Sequence, residues 1–111
     1  VAETRRILGQ TEPPNATDTL LYTVPNGKQA IISTVFACNR NVAARAIRLR
    51  AARVGESSVS VKQYIYFDTN VPANDTVALT AGITLMAGES LYIYRSGSEV
   101  NFSAFGVEID A

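Results

Sequence analysis

The sequence predicts an all-β chain: one antiparallel β-sandwich domain of jelly-roll or immunoglobulin-like type, with about seven or eight short strands. Three observations carry this. Apolar residues recur at every second position in run after run, for example Leu91 and Ile93 against Tyr92 and Tyr94. Turn signals such as Pro25-Asn-Gly-Lys28 and Val71-Pro-Ala-Asn-Asp75 punctuate those runs. Helix competes in one stretch alone, Ala43 to Arg53.

Residues 1–17 read as an N-terminal arm, with the sandwich occupying 18–111. The arm holds Arg5 and Arg6, the short apolar run Ile7-Leu8, and a Pro13-Pro14 pair that blocks helix and ladder hydrogen bonding alike. Such an arm packs back on its own domain or reaches a neighbouring subunit, and the residues do not choose between the two. Thr19 to Val24 is the next strand, closed by the Pro25 turn. Gln29 to Asn39 follows, with Ile31 and Val35 on one parity and Ile32, Phe36 and Cys38 on the other, so it reads as a central strand covered on both sides. In Ala43 to Arg53 the Ala and Arg content favours helix. Ile47 and Leu49 nevertheless alternate with Arg48 and Arg50, which predicts a half-buried strand.

Val59 to Asp68 alternates, placing Val61, Ile65 and Phe67 opposite Lys62, Tyr64, Tyr66 and Asp68. Thr76 to Ala81 is a further short strand, and Ile83 to Met86 a strand or turn. The segment Gly82 to Ile109 reads as a hairpin of two long strands around the polar loop Arg95 to Glu99. In its return strand Val100, Phe102 and Ala104 share one parity and Phe105, Val107 and Ile109 the other. A β-bulge near Ala104, marked by Gly106, would turn both sets into one core; burial on both faces is the alternative.

Composition narrows the function. The 111 residues are 47% apolar and 18% charged, which is the balance of a folded domain rather than a disordered chain. No apolar run approaches the roughly 20 residues a bilayer span needs, so no membrane partner is expected. Net charge is zero, so no global field draws the chain to nucleic acid. Histidine is absent and cysteine occurs once, at Cys38, which removes Ser-His-Asp and Cys-His chemistry and any internal disulfide. No phosphate loop or nucleophile elbow is present, and the expectation is a protein that is not an enzyme, with no cofactor or metal.

Two constellations remain. Arg40, Arg45, Arg48, Arg50 and Arg53 fall close together with no acid among them. They read as a solvated strand face or as an oligomer interface, where arginine pairs a neighbour's carboxylates. A nucleic-acid track is the third reading, weakened because no aromatic residue interleaves to stack bases. Tyr64, Tyr66, Tyr92 and Tyr94 alternate on two strands. They read as cross-strand packing on one face, with a sugar-stacking platform as the alternative. Asp68, Asp75, Glu89 and Asp110 lie near turns without the spacing of a Ca²⁺ loop.

Six short motifs occur in order along nearly the whole chain: Arg6-Ile-Leu-Gly-Gln10, Leu21-Tyr-Thr-Val-Pro25, Ser33 to Arg40, Pro72-Ala-Asn-Asp-Thr76, Gly82 to Gly88 and Asn101 to Ile109. As an ordered set they resemble small β-sandwich virion structural proteins of tailed bacteriophages, of head decoration or cement, neck, tail or fibre type. The resemblance implies a virion component made in the host bacterial cytoplasm, with no catalytic or cofactor residues. Its expected partners are its own copies, as a homotrimer, and the major capsid protein or other virion proteins. The decoration role bridges and stabilises major-capsid subunits; a tail, neck, baseplate or fibre part is the alternative, and a carbohydrate-binding module a more distant one. Arg5 to Leu8 and the Arg45 to Arg53 strand are the expected contact surfaces.

Overall fold

A computed structural model describes residues 3–80 and 82–110. Nine strands account for most of them: β1 (Glu3–Thr11), β2 (Thr19–Thr23), β3 (Lys28–Asn39), β4 (Arg45–Ala52), β5 (Tyr64–Val71), β6 (Thr76–Leu79), β7 (Ile83–Met86), β8 (Ser90–Arg95) and β9 (Val100–Asp110). The one helical element among the described residues is a 3₁₀ turn, Val61–Gln63. One sheet runs β1-β9-β3-β6, with β7 also pairing β3 beyond β6; the other runs β2-β8-β4-β5. The chain changes sheet at nearly every connection, and this is jelly-roll connectivity. The expected all-β sandwich is therefore what the chain forms.

The core lies between the sheets and is built by alternation. Ile47 and Leu49 of β4, Leu91 and Ile93 of β8, and Val100, Phe102 and Ala104 of β9 point inward and are fully buried. Burial of this kind is worth roughly 25 cal/mol per Å² of apolar surface, and it overrides the helix propensity of Ala43 to Arg53.

Four expectations need correction. First, the boundary between arm and sandwich moves: residues 3–11 take the first of the two courses left open, packing on their own domain as β1, antiparallel to β9 from Glu3 opposite Ile109 to Thr11 opposite Phe102. Residues 1 and 2 of the expected arm, and Ala81 of the expected strand to Ala81, lie outside the described residues. Second, β8 and β9 do not form a hairpin. β8 sits between β2 and β4, β9 between β1 and β3, so Ser96–Glu99 is an arch from one sheet to the other. It is anchored at both feet, Ser96 N–H donating to Ala46 O (2.9 Å) and Arg40 N–H to Glu99 O (2.8 Å). β9 finds longer partners in β1 and β3 than β8 would offer it.

Third, the β-bulges at the level of Phe105 lie in the strands flanking β9, not in β9 itself. Leu8 is the extra residue in β1, and Ser33 the extra residue in β3. β9 keeps its alternation, so Phe105, Val107 and Ile109 face outward, and Glu108 takes an inward position. Gly106 belongs to this arrangement, because a Cβ there would collide with the Ile31 carbonyl. The bulge also reverses the parity of β3: Ala30 and Ile32 point inward before it, Val35 and Ala37 after it, leaving Ile31 and Phe36 outside. β3 is central, but covered on one side only. Fourth, β5 begins at Tyr64 rather than Val59, after the 3₁₀ turn, and two irregularities in its pairing with β4 break the simple alternation from Lys62 to Asp68.

Candidate functional site

The outer faces of the two sheets hold nearly every residue singled out in the sequence. On the four-stranded sheet, β4 lies between β8 and β5, so Arg48 is opposite Tyr94, and Arg50 is opposite Tyr92 on one side and Tyr64 on the other. The Arg50 guanidinium sits 3.9 Å from the centre of the Tyr92 ring, and Arg48 lies over both Phe67 (4.2 Å) and Tyr94 (4.4 Å). Tyr64 meets Phe67 edge-on at 4.8 Å. The irregular β5 backbone produces this grouping, turning Tyr64 and Phe67 to the same side while Tyr66 packs against the core. Three of the four expected tyrosines thus share a face, and Tyr66 does not. One surface of the Tyr92 and Tyr94 rings is occupied by the chain's own arginines, which removes it from sugar stacking.

Each arginine of the expected stripe is engaged within the chain. Arg50 is 1% exposed. It forms a two-pronged pair with Asp18, donates Nη1–H to Gln63 Oε1 (2.6 Å), and donates Nη2–H to Ser57 O (3.0 Å). The Asp18 hydrogen bond raises the guanidinium pKa further above its ordinary range, against the effect of burial. Arg48 pairs with Asp68 (2.7 Å), Arg40 with Glu12, and Arg53 with Glu56 (4.0 Å). Arg45 reaches the arch, its Nε donating to Ser98 O at 3.3 Å over Gly97, where a Cβ would strike the guanidinium. The acids missing from the local sequence arrive from the 12–18 connection, from 53–63 and from β5. Arg40, Arg48 and Arg50 are thereby paired with acids, whereas Arg45 meets only backbone carbonyls and the exposed Arg53 shares Glu56 with Lys62 (2.9 Å).

Between the sheets, Glu108 is 5% exposed. It accepts a hydrogen bond from the Tyr22 hydroxyl (2.6 Å) and pairs with Arg6 (3.2 Å). Burial, then the bond to the Glu108 carboxylate, pushes the Tyr22 phenol well above its ordinary pKa. Arg95 is also buried; its Nε donates to Pro13 O (2.6 Å), and its Nη1 has no partner among the described residues. The first group joins β1, β2 and β9 across the sandwich, and Arg95 ties the 12–18 connection to β8. Among the described residues, no three of His, Cys, Asp or Glu gather into a metal-holding group. Asp68 is bonded to Arg48, and Glu89 Oε1 accepts the Met86 N–H.

The outer face of the five-stranded sheet has a different character. Cross-strand pairing sets Arg5, Val107, Ile31 and Thr84 in one row, Ile7 and Phe105 in the next, and Gln10, Ser103, Phe36 and Ala78 beyond. Ile7, Ile31, Phe36 and Met86 are all substantially exposed, and Phe36 meets Phe105 edge-on at 5.7 Å. At the paired bulges the face dips into a shallow hollow of about 440 Å³, lined by Arg5, Ile7, Ser33, Phe105 and Val107 among others. Of the expected contact residues, Arg5 and Ile7 lie on this face. Arg6 and Leu8 turn the other way, Arg6 to Glu108 and Leu8 against the core. The sequence reading missed Ile31, Phe36, Phe105 and Val107 as surface residues. Their signal was present as two apolar parities in β3 and β9, which it assigned to burial.

No protein-family model matches the chain, and no curated protein matches it.

Proposed function

We propose that this chain is a non-enzymatic structural protein of a tailed-bacteriophage virion, in the head decoration or cement role that bridges major-capsid subunits. The observation that carries the reading is the exposed apolar face of β1, β9, β3 and β7, in a molecule that pairs Arg48, Arg50 and Glu108 internally. Contiguous exposed apolar surface of this extent marks a place where another surface packs. The polar groupings around Arg50 and Glu108 are closed by hydrogen bonds within the chain, which suits struts better than a reacting site. The ordered motifs that resemble phage virion proteins add the setting, and a jelly-roll is an architecture viral shell proteins use. The face includes Arg5 and Ile7, so the proposal keeps part of the expected contact surface. In the Arg45 to Arg53 stretch, Arg48 and Arg50 are already paired with Asp68 and Asp18, while Arg45 and Arg53 have no close acid of their own.

The test is location. Heads and tails of the particle that encodes the chain are separated, and the chain is quantified in each by mass spectrometry. High copy number in heads is the expected result. Low copy number with tails would move the chain to the neck, baseplate or fibre, and absence from both would overturn the structural role. Deleting residues 1–10 is not a clean probe, because it removes β1 from the sheet and exposes the edge of β9.

A further inference from the structure

We propose that the apolar face of the five-stranded sheet packs against the same face of a second copy of this chain, forming a two-fold pair. This rests on reading that face as an assembly surface: a second copy fills it, and contact with capsid subunits then falls to the surfaces the pair leaves outward.

Area comes first. The face is four strands wide, counting β6 and β7 as one column beside β3. At a spacing of roughly 4.8 Å, over about ten residues of roughly 3.4 Å each, it presents about 650 Å² in projection before side-chain relief is added. A standard interface takes roughly 800 Å² from each partner, so this one face suffices without the rest of the molecule.

Chemistry comes second. Ile7, Ile31, Phe36, Phe105 and Val107 form the middle of the face. Along its strands the outward charges are Glu3 and Arg5, opposite in sign at the β1 edge, and just past the strand ends Glu12 and Arg40 pair with each other beside Asn101. An apolar centre depleted of charge within a polar rim is how interface cores are built. A strongly charged partner would gain no attraction here, whereas a second copy brings an apolar face of zero net charge. Shape favours the copy as well. Two sheets with the same handed twist stack face to face at about 10 Å with their strands within about 30°. A contact that uses one patch on both subunits closes as a two-fold pair and leaves the arginine–tyrosine faces outward.

Sedimentation velocity over a micromolar concentration series tests this on the full chain. The wild type should sediment as a dimer. Ile31→Glu, at a position already 42% exposed, should keep its far-ultraviolet circular dichroism and melting temperature while weakening the pair roughly 100-fold or more, because it sets like charges together in an apolar contact. Val61→Glu, on the opposite side of the molecule and 87% exposed, should leave the dimer unchanged. A monomeric wild type would overturn the proposal. So would a trimer, or a dimer disrupted by Val61→Glu and not by Ile31→Glu. A monomer that still occupies phage heads would sink the pair and keep the virion role. A dimer absent from the particle would do the reverse.

Discussion

The two outer faces of the sandwich start from similar strands and reach opposite solutions. On the β2-β8-β4-β5 sheet, long cationic and aromatic side chains stand outward, and the chain supplies what each needs: Asp18, Gln63 and the Ser57 carbonyl for Arg50, and Asp68 with two rings for Arg48. On the β1-β9-β3 face Ile7, Ile31, Phe36, Phe105 and Val107 stand outward among uncharged polar residues such as Gln10, Thr34 and Ser103, with Arg5 at the β1 edge. One face has its cations held by its own loops and strands while Phe67 and Leu20 stay exposed on it, and the other is the face we propose as the assembly surface. The two faces thus differ in how far the chain pairs its own polar groups, and the proposed assembly surface rests on that difference rather than on a count of arginines.

The comparison breaks most severely at Arg50. Arg50→Met keeps the length of the side chain but leaves Asp18 and Gln63 without their cation, and the 53–63 connection loses its tie to β4. Removing one partner from a buried pair costs roughly 3–5 kcal/mol. Urea unfolding should show a loss in that range, and limited proteolysis should open the chain between Arg53 and Gln63. A loss under about 1 kcal/mol would mean that the face is not held by this group.

On the other sheet the sensitive point is backbone. Gly106→Ala drives a Cβ into the Ile31 carbonyl where the bulges bring β3 close to β9. Overpacking of this kind costs about 1–3 kcal/mol. The variant should also weaken the proposed pair, because the bulges shape the hollow beside Phe105; a fully stable protein would show that the strands part without cost.

The seam between the sheets gives a pH test. The Tyr22 phenol is raised above its ordinary value of 10.0, chiefly by burial and then by the Glu108 carboxylate. A raised folded value means that the stability linked to this group is present in full below pH 10 and is lost as pH climbs above it. The slope reaches at most about 1.4 kcal/mol per pH unit. Tyr22→Phe should cost about 1 kcal/mol at pH 7. It should also flatten the alkaline decline relative to wild type, and parallel curves above pH 10 would count against the Tyr22–Glu108 bond.

Much of the fold was legible because it is written in period two. Ile47, Leu49, Leu91, Ile93, Phe102 and Ala104 alternate, and the core follows them. What alternation cannot express is a change of partner or an inserted residue. The loop at Arg95 to Glu99 has the length of a hairpin, and nothing within it says that Val100 will join β3 rather than β8. Ser33 and Leu8 each add one residue to a strand, and a single insertion moves Ile31 and Phe36 from an expected core to the surface. The arginines misled for a third reason. Their partners, Asp18 and Asp68, are 32 and 20 residues from Arg50 and Arg48, so a window on the chain shows cations alone.

The smallest effect separates the roles of charge and ring on the finished face. Arg48 is held by Asp68 and lies over Phe67 and Tyr94, and it is partly open to water. Arg48→Ala should cost only about 1 kcal/mol, since an ion pair in solvent is worth roughly 0–1 and a stacked cation about 0.5–1 at exposed sites. A double-mutant cycle with Phe67→Leu isolates the ring contact, and one with Asp68→Asn isolates the pair. If salt at about 1 M removes the Asp68 coupling and leaves the Phe67 coupling, the ring holds the guanidinium and the acid only aims it. Loss of both couplings at high salt would make the face electrostatic throughout. Its order would then depend on ionic strength, whereas the pair proposed on the apolar face opposite should not.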